Sequence, residues 1–295
     1  MSTITADSRP RTGHVRVRRG SEGAPTWGSP MTYLIATVLI AACVAPVLYI
    51  IIGGFRTNAQ ITVDPSGWPD PWVTTNYTNV LASQLFWQQF TNSVISAVAT
   101  TLGTVTLALM ASFVIARYQF RGRNALYALF TAGLMFPLTV AITPLYLLIK
   151  NMGLTDNLLG VILPQIAFAL PTTVIILVPF LAAIPKELEE AASIDGASRM
   201  GFFFRMVLPL SLPGVITTGI LAFIGAWNSY MLPLFILNDP TLYTLPLGVQ
   251  SFSSEHSVDT AAVLAFTSLS MIPALVFFSI FERRIVGGLT GAVKG

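Results

Sequence analysis

Six windows of this chain, residues 31–53, 90–116, 124–149, 158–184, 208–237 and 260–281, contain no Lys, Arg, Asp or Glu. A helix needs about 20 mostly apolar residues to cross a hydrocarbon core about 30 Å thick, because each residue rises about 1.5 Å. Every window is long enough. The rest of the composition leaves no other solvent for them. Hydrophobic residues make up 54% of the chain and charged residues only 10%, where soluble domains carry roughly 25% charge. The expected fold class is therefore an all-α integral membrane protein with six transmembrane helices, over residues 31–281.

The charge excluded from the windows is sorted between their flanks. Lys and Arg collect on the cytoplasmic side of membrane proteins. With the N-terminus inside, the inner segments hold all the basic residues except Arg56 and Lys150. An odd number of spans would destroy this separation, so both termini are expected in the cytoplasm. The net charge of +3 then serves topology and anionic lipid headgroups, and no nucleic-acid partner is expected. Residues 1–30, rich in Ser, Thr, Gly, Pro and Arg, read as a flexible basic tail. The first window is too long for the apolar core of a signal peptide and is expected to stay as the first span. The lone Cys43 reads as a small buried hydrophobe, and no metal site is expected.

Within the spans, polar groups are few. Pro137, Pro144, Pro164, Pro171, Pro179, Pro213 and Pro273 each remove a helix hydrogen bond and favour kinks. The freed carbonyls should face protein or a wet cavity. The second span is dense in small and hydroxyl residues, among them Ser93, Ser96, Ala97, Thr100, Gly103, Thr104 and Ala108. Such residues let helices approach closely, either as static packing or as a core that slides. The fifth window carries Ala226-Trp227-Asn228-Ser229-Tyr230. An Asn in a membrane must find hydrogen bonds in protein, water or ligand. Trp227, Asn228 and Tyr230 could stack on and bond a sugar, or they could be an interhelical bond with aromatic packing. Gln165, Thr172 and Thr173 in the fourth window are weaker candidates of the same kind. No ionisable relay crosses the membrane, as proton- or sodium-coupled carriers usually require. Energy is expected to enter from outside the spans.

Residues 185–207 are the place for it. Lys186, Glu187, Glu189, Glu190, Asp195, Arg199 and Arg205 fall in this one loop between two uncharged windows. It reads as a short helix, a break and a second short helix. Pro185 suits a helix start, Glu187 and Glu189 suit the positive end of the helix dipole, and Gly196 permits a reversal. Phe202, Phe203 and Phe204 beside Arg199 and Arg205 would make an apolar knob rimmed by charge, as protein docking sites are. The alternative is an amphipathic segment lying on headgroups.

The spacing Glu190-Ala191-Ala192, Gly196, Met206 and Leu208-Pro209 resembles the cytoplasmic loop of bacterial ABC importer permeases, EAA-x3-G-x9-I-x-LP, departing only in Met206 for Ile. Residues 288–295, GLTGAVKG, resemble the GLTAGAVKG ending of one permease of carbohydrate importers of the maltose type, one Ala shorter. The Trp227-Asn228 pair also falls where sugar permeases often carry one. The resemblance implies a type I ABC importer transmembrane domain in a bacterial inner membrane. It implies a second homologous permease, two ATPase subunits, and an extracellular or periplasmic sugar-binding protein as partners. ATP and magnesium would belong to the ATPases. Glu190, Ala191, Ala192, Asp195, Gly196, Arg199, Phe203, Leu208 and Pro209 would couple to them. Gly288, Leu289, Thr290 and Lys294, in the tail 282–295, would add a further ATPase contact.

The expected function is thus a permease subunit that forms half of an alternating-access pathway for a sugar. The chain has no phosphate-cradling GxxxxGK[ST] loop, so it is not expected to hydrolyse ATP itself. The competing class is a stand-alone secondary carrier or channel for a small polar solute. An intramembrane enzyme would need a Ser/Lys, paired-Asp or HExxH set in the spans, and none is present. The proline- and tryptophan-rich segment 54–89 is expected at the membrane interface or against a binding protein.

Overall fold

The computed structural model describes residues 30–252 and 258–293, with side chains placed through residue 281. The tail 1–29 and Lys294 lie outside the described residues. The chain divides into two units, Met1–Pro46 and Val47–Gly295. Helix α1 (Pro30–Gly53) runs across the division. Between Met31 and Val44 its side chains are exposed, Cys43 among them, against the expectation of a buried cysteine.

In the second unit, α2 (Asn58–Val63) and α3 (Thr75–Ala82) are short, and α4 (Gln84–Arg117) is a long rod. Then come α5 (Arg123–Gly133), α6 (Leu138–Asn151) and α7 (Leu158–Ala182). The loop holds α8 (Lys186–Ile194) and α9 (Arg199–Phe202). A π-helical turn (Phe203–Val207) joins α9 to α10 (Leu208–Trp227). Two short helices, α11 (Met231–Ile236) and α12 (Leu245–Gly248), precede α13 (Thr260–Val293).

Among the described residues, five helices are long and apolar enough to cross a membrane, or six if the bent pair α5 and α6 is one span. The expected third span is therefore broken. Its halves meet at 101°. Pro137 caps α6 with φ −74° and ψ 134°. Its ring forces the preceding residue out of helical geometry and it brings no N–H, so the apolar run bends instead of continuing. The fifth span is also displaced. It runs from Arg199 to Trp227, beginning in the charged loop and ending at Asn228, whose N–H bonds back to the Ile224 carbonyl.

The rod α4 is the centre of the unit, packed on α7 and α10. Ser93, Ser96, Thr100, Thr104, Ala108 and Ser112, three or four residues apart along one face, are all buried, as is Ala97 beside Ser96. Their small size allows the close approach that the sequence anticipates. At Gly103 a Cβ would collide with the tip of Ile166.

The segment after α1 is held by Arg56, which is 2% exposed. Its guanidinium donates to the main-chain carbonyls of Pro65 (3.0 Å), Gln60 (2.7 Å) and Asp64. Asn76 donates to the Gly54 and Arg56 carbonyls. Trp68 and Trp72 lie outside this frame, 72% and 57% exposed, with ring centres 6.5 Å apart.

Candidate functional site

The charged loop folds as expected locally. Pro185 caps α8, and Glu187 and Glu189 occupy its first turn. Gly196 adopts φ +75°, a left-handed conformation that costs a side-chain-bearing residue about 1–2 kcal/mol. A Cβ there would meet nothing within 4 Å, so conformation and not space selects glycine. The Ala197 N–H then closes the turn on the Ala192 carbonyl at 2.9 Å. The Ser198 hydroxyl accepts from the Gly201 N–H at 3.1 Å and starts α9.

The faces of the loop divide differently from the sequence expectation. Phe202 and Phe203 are not part of an exposed knob. Both are buried, in one cluster with Ala192, Val207, Leu177, Leu181 and Phe113, and the Phe203 and Phe113 rings lie 5.0 Å apart. Consecutive helical residues point about 100° apart, so three adjacent phenylalanines cannot share one face. The exposed apolar side chains of the loop are Ile194 (86%), Met200 (60%) and Phe204 (58%). Glu190, Ala191, Asp195, Gly196, Arg199 and Pro209 are also exposed, and Leu208 is half-buried.

Arg117, at the end of α4, secures this loop, and sequence reasoning counted it only as a topology marker. Its side chain is 3% exposed. Nε and a terminal nitrogen donate to the Glu189 carboxylate at 3.0 and 2.8 Å, and the other terminal nitrogen donates to the Ile184 carbonyl at 2.6 Å. The guanidinium carbon lies 5.9 Å from the Phe202 ring centre. Next to it, Arg199 sits 5.1 Å over the Tyr118 ring. Burial pushes the Tyr118 phenol above its ordinary pKa, and the nearby Glu189 charge adds to the effect.

The span candidates separate. Gln165 lines a cavity of about 300 Å³ with Thr100, Phe168, Thr172, Thr173 and Ser229. Its amide oxygen accepts from the Thr100 hydroxyl at 2.8 Å and the Ser96 hydroxyl at 3.3 Å. Its Nε2 is buried without a partner, so both N–H donors of the amide are unspent. Trp227 and Asn228 line a different cavity with Leu245, Thr267 and Ser270. Trp227 is buried against Phe90 and Phe223, which is a packing arrangement. The Tyr230 hydroxyl accepts from the Gln250 amide at 2.9 Å. Gly288, Leu289 and Thr290 continue the backbone of α13.

At the Gln84 end of α4, Asp156 clamps two connections. Its own N–H bonds the Ile236 carbonyl, and its carboxylate accepts from the Asn238 and Asp239 backbone. The Asn238 N–H foremost holds its pKa below the ordinary carboxylate value.

Comparison with known proteins agrees with this architecture. A permease protein of a diacetylchitobiose uptake system from Streptomyces coelicolor is 31% identical, over 98% of both chains. A permease of a sulfoquinovosyl glycerol transport system from Agrobacterium fabrum is 33% identical, over 91% of this chain and 95% of that one. The fold is similar to a solved bacterial ABC transporter involved in import of the acidic polysaccharide alginate, with TM-score 0.75 and 19% identity, covering 86% of this chain and 94% of that chain. The model of the family "binding-protein-dependent transport system inner membrane component" matches residues 104–287. A charged loop hung from an apolar helical bundle, with an uncharged, mostly apolar cavity inside, thus belongs to a transport component, and this chain is a member of that family.

Proposed function

We propose that the chain is a permease subunit of an ATP-driven importer for a carbohydrate, working with a second homologous permease, two ATPase subunits and an extracellular sugar-binding protein. The observation that carries this reading is the two-sided loop. One face is packed into the bundle through Ala192, Phe202 and Phe203, while Glu190, Ile194, Asp195 and Met200 stand free. A segment meant only to float on headgroups has no need of a rigid inner face. The free face is where the ATPase docks. Phe203, Leu208 and Pro209 act behind it, as the join to α10. Gly288, Leu289, Thr290 and Lys294 supply the second ATPase contact. Both termini and the loop lie in the cytoplasm, and ATP and magnesium stay with the ATPases.

Relatives named for diacetylchitobiose and sulfoquinovosyl glycerol systems support a sugar as cargo. The pathway then passes the Gln165 cavity, where hydroxyls, the spare amide donors and the Phe168 ring suit a polyol with an apolar face. Trp227, Asn228 and Tyr230 serve the pathway from the neighbouring packing layer. Co-purification tests the assembly. An affinity-tagged chain expressed with its neighbouring transport proteins should bring down an ATPase in a Gly196-dependent manner. A homo-oligomer that transports sugar in vesicles without ATP would refute the reading.

A further inference from the structure

We propose that Arg117 is the linkage through which movement of the loop reaches α4. The proposal rests on the reading of the loop as the ATPase contact. A loop touched by a motor moves the bundle only if something resists slack between them. Arg117 meets the start of the loop at the Ile184 carbonyl, α8 at the Glu189 carboxylate and α9 at the Phe202 ring. These three pieces are separate in sequence, and one guanidinium, 3% exposed, gathers them. Its five donors are fixed in a plane, so a rotation of α8 must break a charged hydrogen bond or carry Arg117 along.

Arg117 is also the last residue of α4. That helix is one uninterrupted rod, without proline. Seventeen residues earlier it carries Thr100, whose hydroxyl holds Gln165 at the cavity. At about 1.5 Å per residue the two points lie about 25 Å apart. The loop's buried phenylalanines also touch α4, through Phe113, but apolar contacts can slide where a directed ion pair cannot. Arg117 is thus a positioning residue, acting through α4 and not on cargo.

The test uses the assembled transporter, with Cys43 replaced by Ser and Thr172, which lines the cavity, replaced by Cys. Labelling of that cysteine by a maleimide is followed with and without MgATP, alongside the ATPase rate. In the Arg117 wild type, MgATP should change the labelling rate. In Arg117→Gln the ATPase rate should persist while the ATP-dependent change in labelling shrinks at least about fivefold, the low end of typical coupling. The double variant Arg117→Glu/Glu189→Arg should restore part of it. An undiminished response in Arg117→Gln overturns the linkage. So does loss of assembly in Arg117→Gln that the charge reversal leaves unrepaired, since Arg117 would then be structural only. Absence of any MgATP response with Arg117 intact would instead bring down the ATPase-contact reading, and the linkage with it.

Discussion

Among the described residues, Arg56, just after α1, and Arg117, the last residue of α4, both have buried side chains, and they do opposite things. Arg56 spends its guanidinium on carbonyls no more than nine residues away. It folds one segment upon itself. Arg117 reaches 67 and 72 residues along the chain, to Ile184 and Glu189, and ties separate elements together. The first is a local frame and the second a joint between parts. The difference also accounts for a topological exception. By the topology expected from the charge pattern, Arg56 is one of two basic residues on the cation-poor side, and main-chain carbonyls take up its charge.

The comparison breaks if either arginine behaves like the other. Arg56→Met removes three hydrogen bonds from a charged donor, each worth about 1.5–3 kcal/mol. We expect the largest loss of thermal stability here, with faster hydrogen exchange confined to residues 57–73. Spread of that exchange into α4 would show that the frame is not local. Arg117→Met strands Glu189, whose side chain is 32% exposed and so partly rehydrates. We expect a smaller loss of about 2–3 kcal/mol, below the 3–5 typical of fully buried pairs, with faster exchange in α8, α9 and the last turns of α4 together.

Gly196→Val sharpens the contrast, since it strains the loop without touching either arginine. The left-handed backbone predicts about 1–2 kcal/mol, with Gly196→Asn milder because Asn tolerates this region. Equal effects of the two in a melting series would mean that space, not backbone, selects glycine. The smallest effect concerns pH. The folded pKa of Asp156 is lowered by the Asn238 N–H, so its clamp contributes fully above the unfolded carboxylate value. That contribution is lost as pH falls through the lower folded value. Exchange at residues 154–160 and 236–239 should accelerate on acidification, and Asp156→Asn should flatten this dependence.

Much of the architecture was legible because lipid punishes charge. The windows at 90–116, 158–184 and 260–281 lie inside or close to α4, α7 and α13. Hydropathy reports composition and not path, so the window at 124–149 hid a 101° bend, although Pro137 was visible as a breaker. The reversal at Gly196 and the cap at Pro185 were readable from local backbone chemistry. The inward turn of Phe202 and Phe203 departs from the expected exposed knob, because their partners Phe113, Leu177 and Leu181 lie on other helices. Arg117 was out of reach, because its partner Glu189 is 72 residues distant and no local spacing signals it. Gln165 was noted as polar, but its hydroxyl partners on α4 emerge only when two spans are packed.

The π-helical turn at Phe203–Val207 sets the phase of everything after it. Its Leu208 N–H bonds the Phe203 carbonyl, one residue farther back than in an α-helix. A single residue is about 100° of rotation and 1.5 Å of rise. Deleting one residue here would let the turn relax to an ordinary helix without opening a loop. The apolar seal of Phe202 and Phe203 and the cavity face of Leu221, Ala222 and Gly225 would then stay in register, because the wide turn already absorbs the extra residue. In this chain one surplus residue is taken up within a single turn, and a site several turns away keeps its angle.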